Sequence, residues 1–292
     1  MPNSAGPIST RPRRLHWAAP LSLVLLLGTG ASRADDASPW DADQRSALRL
    51  IAGSTAGGAP TLRAGITMRI DPGWKTYWRY AGDSGLPPAF DFAGSENVKS
   101  VTVLWPAPRR FADGAGGNSI GYTGEVIFPL QVVAQDASRP VNLRLKADYG
   151  VCEKICIPAS GKAQLQLTGG ASSQDTALTE AESRVPKPAA LGESRPLSVR
   201  RVWRDTSSTP QRILVHVIAP GEDSPDVDLL AEGPTPQWSF PLPVMVEART
   251  TGDRLFAIDV DGVPPGANIA GAPIKLTLVA GNAAIEVTTH LD

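Results

Sequence analysis

Apolar residues alternate with polar residues over most of this chain, and this period of two limits the fold more than any other feature. In the run TLRAGITMRI, the residues on one face are Leu62, Ala64, Ile66, Met68 and Ile70. The later runs VIFPLQVV, VNLRLKADY and AQLQL alternate in the same way. Such alternation is typical of half-buried strands. Many short strands joined by Gly- and Pro-rich turns predict an all-β protein built from antiparallel β-sandwiches.

The alternation is interrupted between about Gly169 and Pro196, where the chain is polar and contains three prolines. Within this segment, DTALTEAESR predicts two or three helical turns capped by Asp175. Strand-like runs resume afterwards, and they suffice for a second sandwich of about a hundred residues. We therefore expect a first domain at 35–170, a linker with a short helix at 171–196, and a smaller β-sandwich domain at 197–292.

The N-terminus predicts a secretory signal peptide at 1–34. Three arginines precede the apolar run AAPLSLVLLLGTG, and Ser32 and Ala34 fit cleavage after Ala34. The run is short and is interrupted by Pro20 and Gly28, so an uncleaved membrane anchor is the less favoured alternative. We expect an exported protein without stable membrane insertion after cleavage, in a compartment where disulfides persist. The net charge of −1 gives no indication of a nucleic-acid partner.

The two cysteines of the chain, Cys152 and Cys156, lie together in the stretch DYGVCEKICIPA. In an extended strand, residues four positions apart are separated by about 13 Å. A disulfide requires Cα atoms within about 7 Å of each other. If the two cysteines bond, the chain must therefore turn through the intervening residues Glu-Lys-Ile.

The spacing of the cysteines leaves more than one interpretation. A static disulfide closing so short a loop stabilises a fold by only about 2 kcal/mol. A closed zinc site needs four ligands, and His216 and His290 lie in the other half of the chain, so we expect no metal and no cofactor. A redox-active dithiol needs an accessible sulfur. The nearby stretch GDSGLP lacks the G-x-S-x-G elbow of serine hydrolases. From the residues alone, the static and redox interpretations both remain open.

Three blocks of the first half resemble a known family. The blocks are GWKTYWRYAGDSGLPPAFDFAGSENV, RFADGAGGNSIGYTGEVIFPLQV and YGVCEKICIPASG. Together they resemble the N-terminal periplasmic domain of DsbD-type thiol:disulfide interchange proteins and of their ScsB-like relatives, over about Ser46 to Gly170. The resemblance implies an immunoglobulin-like fold for the first domain and a periplasmic location. It also implies that the catalytic pair, Cys152 and Cys156, cycles between disulfide and dithiol.

The resemblance further implies that Cys156 forms the mixed disulfide with a partner and that Cys152 resolves it. In the family a loop shields the cysteines, and FADGAGGNSIGY corresponds to it here. The best-known members have five residues between the cysteines and an aromatic residue at the loop tip, whereas this chain has three residues and a Gly-rich tip. The residues expected to shield the pair or contact a partner are Phe111, Tyr122, Tyr77, Trp78 and Tyr80.

The resemblance also implies partners. We expect a separate thioredoxin-like or membrane electron donor, and periplasmic client proteins that carry disulfides. The leading hypothesis is a thiol–disulfide exchange protein, similar to a protein-disulfide reductase, that relays reducing equivalents while its second sandwich positions partners. The alternative is a non-catalytic periplasmic binding or scaffold protein with a static short-loop disulfide. A reduction potential would separate these two hypotheses.

Overall fold

The computed structural model describes residues 3–4, 6, 35–55, 61–113, 116–220, 227–249 and 252–292. The predicted signal peptide lies outside the described residues, apart from positions 3, 4 and 6. The remainder, Ala34–Asp292, forms one compact unit.

Two facing sheets make up the first sandwich. Their strands are β1 Asp41–Asp43, β2 Ser46–Ala52, β3 Thr61–Ile70, β4 Lys75–Gly82, β5 Ala89–Asp91, β6 Val98–Val103, β7 Arg109–Ala112, β8 Asn118–Thr123, β9 Glu125–Ala134, β10 Val141–Cys152 and β11 Cys156–Leu167. One sheet has the strand order β1-β2-β3-β9-β6, and the other has the order β11-β10-β4-β8-β7 with β5 paired to β10. All of these pairings are antiparallel.

A helix and a second pair of sheets follow. The elements are α1 Asp175–Ser183, β12 Lys187–Pro188, β13 Ser198–Asp205, β14 Arg212–Ile218, β15 Val227–Glu232, β16 Val244–Ala248, β17 Asp253–Asp259, β18 Pro273–Ala280 and β19 Ala283–His290. The two sheets have the orders β12-β19-β18-β15 and β13-β14-β17-β16. The prediction of an all-β fold with a second, smaller β-sandwich is confirmed. We propose 35–170 and 197–292 as the two domains and 171–196 as the linker, which carries α1 and also supplies β12 to a sheet of the second sandwich.

The alternation seen in the sequence corresponds to the core of the first sandwich. On β10 the odd-numbered residues from Val141 to Val151 are buried. They face an apolar cluster from the opposite sheet that includes Leu48, Ile66 and Phe128. At Gly161 of β11, an added Cβ would lie 2.5 Å from the Leu48 side chain. The two sheets therefore approach closely at this point, because only a residue without a side chain fits.

Helix α1 packs against the first sandwich. Its Leu178 side chain is fully buried, and an added Cβ at Gly65 of β3 would lie 2.8 Å from it. Arg63 of β3 donates hydrogen bonds to Glu182 and Asp175 of the helix. The Asp175 carboxylate also accepts from the backbone N–H of Ser54 at 2.7 Å. Asp175 therefore connects the helix to the sandwich and is the first helical residue. The N-cap is Gln174, which makes no side-chain capping bond.

Arginines of the first sandwich bind carboxylates of the second. Arg79 of β4 forms salt bridges with Glu232 of β15 and Glu286 of β19. Burial alone would lower the pKa of Arg79, but its hydrogen bonds and ion pairs with the two glutamates raise the pKa above its ordinary value. Arg110 of β7 pairs with Asp228 of β15 at 2.6 Å. These contacts tie the two sandwiches together at two strands of one sheet.

The same interface contains apolar packing. Leu230 and Leu242 belong to the second sandwich, yet both are buried in the core cluster of the first. The hydroxyl of Tyr80 on β4 donates to the carbonyl oxygen of Phe240. The interface is thus a continuous packed region, with the arginine pairs beside it.

We expect Arg79→Ala to lower the free energy of unfolding of the full chain by about 2–3 kcal/mol, because it leaves two partly buried carboxylates without their common cation. Arg212→Ala is the matched control. It removes an exposed ion pair to Asp259 and is expected to cost about 1 kcal/mol or less. Urea unfolding followed by circular dichroism measures both values, and equal losses would contradict this description of the interface.

Candidate functional site

The β10–β11 hairpin brings the two cysteines together. The strands pair in register from Val141 opposite Leu167 to Cys152 opposite Cys156. The two cysteines form a disulfide, and their Cα atoms are 4.2 Å apart. The chain turns through the three residues between them, as the sequence required for a bonded pair.

The two sulfurs differ in accessibility because of the strand order. Cys152 lies on β10, which has a neighbour on each side, and it pairs with Lys75 of β4 as well as with Cys156. Only 2% of Cys152 is exposed. Cys156 begins β11, the outermost strand of its sheet, and is exposed. Cys156 is therefore the more exposed residue of the pair.

Tyr77 of β4 contacts both sulfurs. Its hydroxyl oxygen lies 2.5 Å from the Cys152 sulfur and 3.0 Å from the Cys156 sulfur. Tyr77, Ala81 and Cys152 form a small buried cluster apart from the main core. Burial, with a smaller contribution from the charge of Asp113, raises the pKa of Tyr77 above its ordinary value of 10. The phenol therefore stays protonated at neutral pH and is available to donate a hydrogen bond.

The segment after β4 covers the ring of Tyr77. Gly85 has a φ of +140°, and an added Cβ there would lie 2.2 Å from the tyrosine ring. The next residue, Leu86, accepts a hydrogen bond at its carbonyl oxygen from the N–H of Gly150 on β10. Both residues belong to the stretch GDSGLP, whose sequence does not match a serine-hydrolase motif. Gly85 was the signal in the sequence that could have indicated this contact. A backbone that lies against an aromatic ring requires a residue without a side chain.

The predicted shield loop joins β7 to β8, and its ends approach the site. Lys75, the partner of Cys152, donates to the carbonyl oxygen of Ala112 and lies over the Phe111 ring at 5.9 Å. Asp113 accepts hydrogen bonds from the N–H of Gly117 and from the hydroxyl of Ser84. The loop is thereby connected to the segment that covers Tyr77. Residues 114 and 115 of the Gly-rich tip lie outside the described residues.

The five predicted aromatic residues occupy different environments. Tyr77 touches the sulfurs, and Phe111 lies beside Lys75. Trp78 is fully buried in the main core, and the buried Tyr122 donates to the carbonyl oxygen of Pro106. Burial raises the pKa of Tyr122 well above its ordinary value. Tyr80 contacts the second sandwich, and burial raises its pKa to about 12.

Two exposed apolar side chains lie beside the disulfide. Ile155, in the hairpin turn, is 68% exposed, and Leu86, next to Gly150, is 50% exposed. Ile155 immediately precedes Cys156, and Gly150, which donates to the Leu86 carbonyl oxygen, lies two residues before Cys152. Exposed apolar groups around a reachable sulfur suit contact with another protein.

The described parts of the chain contain no group of three or more His, Cys, Asp or Glu residues arranged to hold a metal ion. Among the same residues, no helix is long and apolar enough to cross a membrane.

The fold and site define a class of protein: a pair of β-sandwiches in which the first carries a surface disulfide at the end of a hairpin. The family described as "Thiol:disulfide interchange protein DsbD, N-terminal" matches residues 49–168. The matched segment contains both cysteines, Tyr77 and the β7–β8 loop. The resemblance of the first sandwich to DsbD N-terminal domains is therefore confirmed.

A solved structure extends the likeness to the second sandwich. The N-terminal periplasmic domain of ScsB from Proteus mirabilis is 20% identical over 88% of this chain and 99% of that chain, with a TM-score of 0.68. At this identity the likeness shows a shared fold, and its coverage includes both sandwiches. The YadV chaperone covers 83% of this chain at 10% identity, but its TM-score is 0.22. Comparison with curated proteins finds no match.

We expect the double variant Cys152→Ser, Cys156→Ser to keep the fold and to lose about 2 kcal/mol of unfolding free energy or less. The reason is that a five-residue loop has little entropy to lose when the disulfide closes it. Urea unfolding of the variant and the oxidised parent measures the difference. Global unfolding of the variant would mean that the bridge is structural.

Proposed function

We propose that this protein is a periplasmic thiol–disulfide exchange protein that relays reducing equivalents through Cys152 and Cys156. The observation that carries the proposal is the asymmetry of the pair: an exposed sulfur is bonded to a buried sulfur, and a tyrosine hydroxyl contacts both. The match of the first sandwich to the N-terminal domain of thiol:disulfide interchange proteins supports it. A static bridge needs neither the exposed sulfur nor the protonated tyrosine.

Reduction of the pair proceeds in two exchanges. A thiolate of the electron donor attacks the Cys156 sulfur along the S–S axis, because that sulfur is the accessible one. The S–S bond breaks, the electron pair goes to Cys152, and a mixed disulfide joins the donor to Cys156. A second donor thiolate then attacks the donor sulfur of the mixed disulfide and releases Cys156. The donor becomes a disulfide, and this chain becomes a dithiol.

Delivery to a client reverses these roles. The Cys156 thiolate attacks a client disulfide and forms a mixed disulfide with one client sulfur. Cys152 then attacks Cys156, which closes the internal disulfide and releases the reduced client. The buried position of Cys152 favours this resolving step, since only an intramolecular sulfur reaches it readily.

Tyr77 assists these steps as a hydrogen-bond donor. When the internal bond breaks, negative charge develops on the departing sulfur, and the tyrosine hydroxyl lies within contact distance of both sulfurs. Its raised pKa keeps the proton on the phenol throughout the neutral range. A hydrogen bond to a charged group stabilises it by about 1.5–3 kcal/mol.

The proposed partners are a separate thioredoxin-like or membrane electron donor and periplasmic client proteins with disulfides. The DsbD-type family supports such partners in general. Export through a signal peptide at 1–34 is part of the same proposal, since the exchange requires an oxidising compartment. The second sandwich is proposed to position partners beside the first.

Trapping with a thioredoxin-like donor whose resolving cysteine is replaced by serine tests the proposal. The remaining thiol of that donor is first activated as a mixed disulfide with thionitrobenzoate. We expect the Cys156 thiolate of Cys152→Ser to displace thionitrobenzoate and to accumulate a mixed disulfide with the donor, detected as a higher-mass band on non-reducing gels. Cys156→Ser should trap little donor, because its remaining sulfur is buried. If Cys156→Ser traps donor instead, the roles of the two cysteines are reversed. If neither variant traps donor, a static disulfide in a scaffold protein is the better description.

We expect Tyr77→Phe to slow reduction of the internal disulfide by a small dithiol by about tenfold or more, since it removes the donor to the departing sulfur. Tyr149→Phe is the matched control, because that buried hydroxyl bonds Ser46 instead. Stopped-flow kinetics with the two oxidised variants measures both rates. Equal rates for Tyr77→Phe and the parent would remove Tyr77 from the proposed mechanism.

A further inference from the structure

Strand β16 of the second sandwich is an unusual edge. All five of its residues, Val244–Ala248, are exposed, and three consecutive apolar side chains, Val244, Met245 and Val246, are 61%, 47% and 50% exposed. Among the described strands, β16 pairs only with β17 and lies at the end of its sheet. An open edge attracts other strands. The charged residue of β16, Glu247, accepts a hydrogen bond from Arg249, so its carboxylate is paired within the chain.

A cleft of about 850 Å³ lies between this edge and the first sandwich. One wall includes Arg109–Phe111 of β7, which is an edge strand of the first sandwich. Another includes Val244 and Met245 of β16. Arg110 donates to the carbonyl oxygen of Pro243, just before β16, so the two edges are joined at one end. The volume falls within the usual range of about 300–1,000 Å³ for ligand sites.

The charges that line the cleft are mostly neutralised by one another. Arg110 pairs with Asp228, Arg184 pairs with Glu180, and Glu125 pairs with Arg69 of β3. A strongly charged occupant would have to break these pairs. The lining therefore suits an occupant that is largely uncharged and apolar.

The cleft lies within reach of the disulfide. Thr123 of β8 lines the cleft and lies opposite Lys75 of β4 in the sheet. Lys75 lies opposite Cys152 of β10, and Cys152 lies opposite Cys156 of β11. Three strand spacings therefore separate Thr123 from Cys156, which amounts to about 14 Å. An extended chain covers that distance with about four or five residues.

We infer that this cleft binds an extended, uncharged segment of a client polypeptide, which pairs with β16 as an added strand. The unpaired backbone groups of β16 supply hydrogen bonds, and its exposed valines contact alternate side chains of the segment. The position of β16 in the wall of a cleft favours a single extended chain over the edge of a second folded copy. The assignment to clients rests on the proposed exchange function, since the cleft wall at Thr123 lies about 14 Å from Cys156.

Binding of a cysteine-free peptide tests this inference separately from the exchange chemistry. The probe is the fluorescein-labelled peptide amide Ser-Val-Thr-Val-Ser-Val-Thr-Val, titrated with the full chain lacking residues 1–34 and followed by fluorescence anisotropy. We expect saturable binding. The same peptide N-methylated throughout keeps its side chains but cannot donate backbone hydrogen bonds, and we expect it to bind at least tenfold more weakly.

The double variant Val244→Lys, Val246→Lys should weaken binding of the unmodified peptide at least tenfold, because charges on an edge strand oppose pairing. Leu191→Lys is the matched control, since Leu191 is an exposed apolar residue that is not among the described cleft residues. It should leave binding unchanged. Thermal unfolding checks that both variants are folded.

Three results would overturn the inference. The first is the absence of saturable binding by the parent chain, and the second is equal binding of the N-methylated peptide. The third is a dimer of the parent chain, seen by sedimentation, that Val244→Lys, Val246→Lys dissociates, because a second copy would then occupy the edge. None of these results bears on trapping through Cys156, so the trapping experiment tests the exchange function separately.

Discussion

The register of the β10–β11 hairpin is the constraint on which the site depends. Twelve residue pairs of β10 and β11 are in antiparallel register, from Val141–Leu167 to Cys152–Cys156. A slip of one residue would turn the buried side chains of β10 outward, so the core of the first sandwich fixes the register. The same register places the two cysteines directly opposite each other. Burial of side chains far from the site therefore determines where the sulfurs meet.

The order of the strands gives the two cysteines different environments. The inner strand buries Cys152 against Tyr77, and the outer strand leaves Cys156 open to solvent. Exchange chemistry benefits from this difference, since one sulfur must be reached from outside while the other must attack from within. The second sandwich is fixed to the same sheet through Arg79 and Arg110. The cleft between the sandwiches is therefore held at a constant position relative to the disulfide.

Local pattern was sufficient to predict the strands. The period of two identified β3, β9, β10 and β11, and the spacing of the cysteines required a turn between them. The resemblance in three blocks supplied the immunoglobulin-like fold. The different environments of Tyr77, Trp78 and Tyr80 could not be predicted. The sequence does not show the irregular pairing of β4 with β8 between Tyr77 and Gly82. Contacts between distant residues, such as Arg79 with Glu232, leave no local signal, and the covering role of Gly85 depends on the tyrosine ring beneath it.

The reduction potential of the Cys152–Cys156 pair tests the exchange function most directly. It is measured by equilibrating the full chain with glutathione buffers of known potential, trapping free thiols with an alkylating reagent, and determining the oxidised fraction by mass spectrometry. Structural disulfides of exported proteins have potentials below about −300 mV, whereas exchange couples have higher potentials. We expect a value well above about −300 mV for this pair, because one of its sulfurs is exposed to attack. A value below that threshold would show a static bridge and contradict the exchange function.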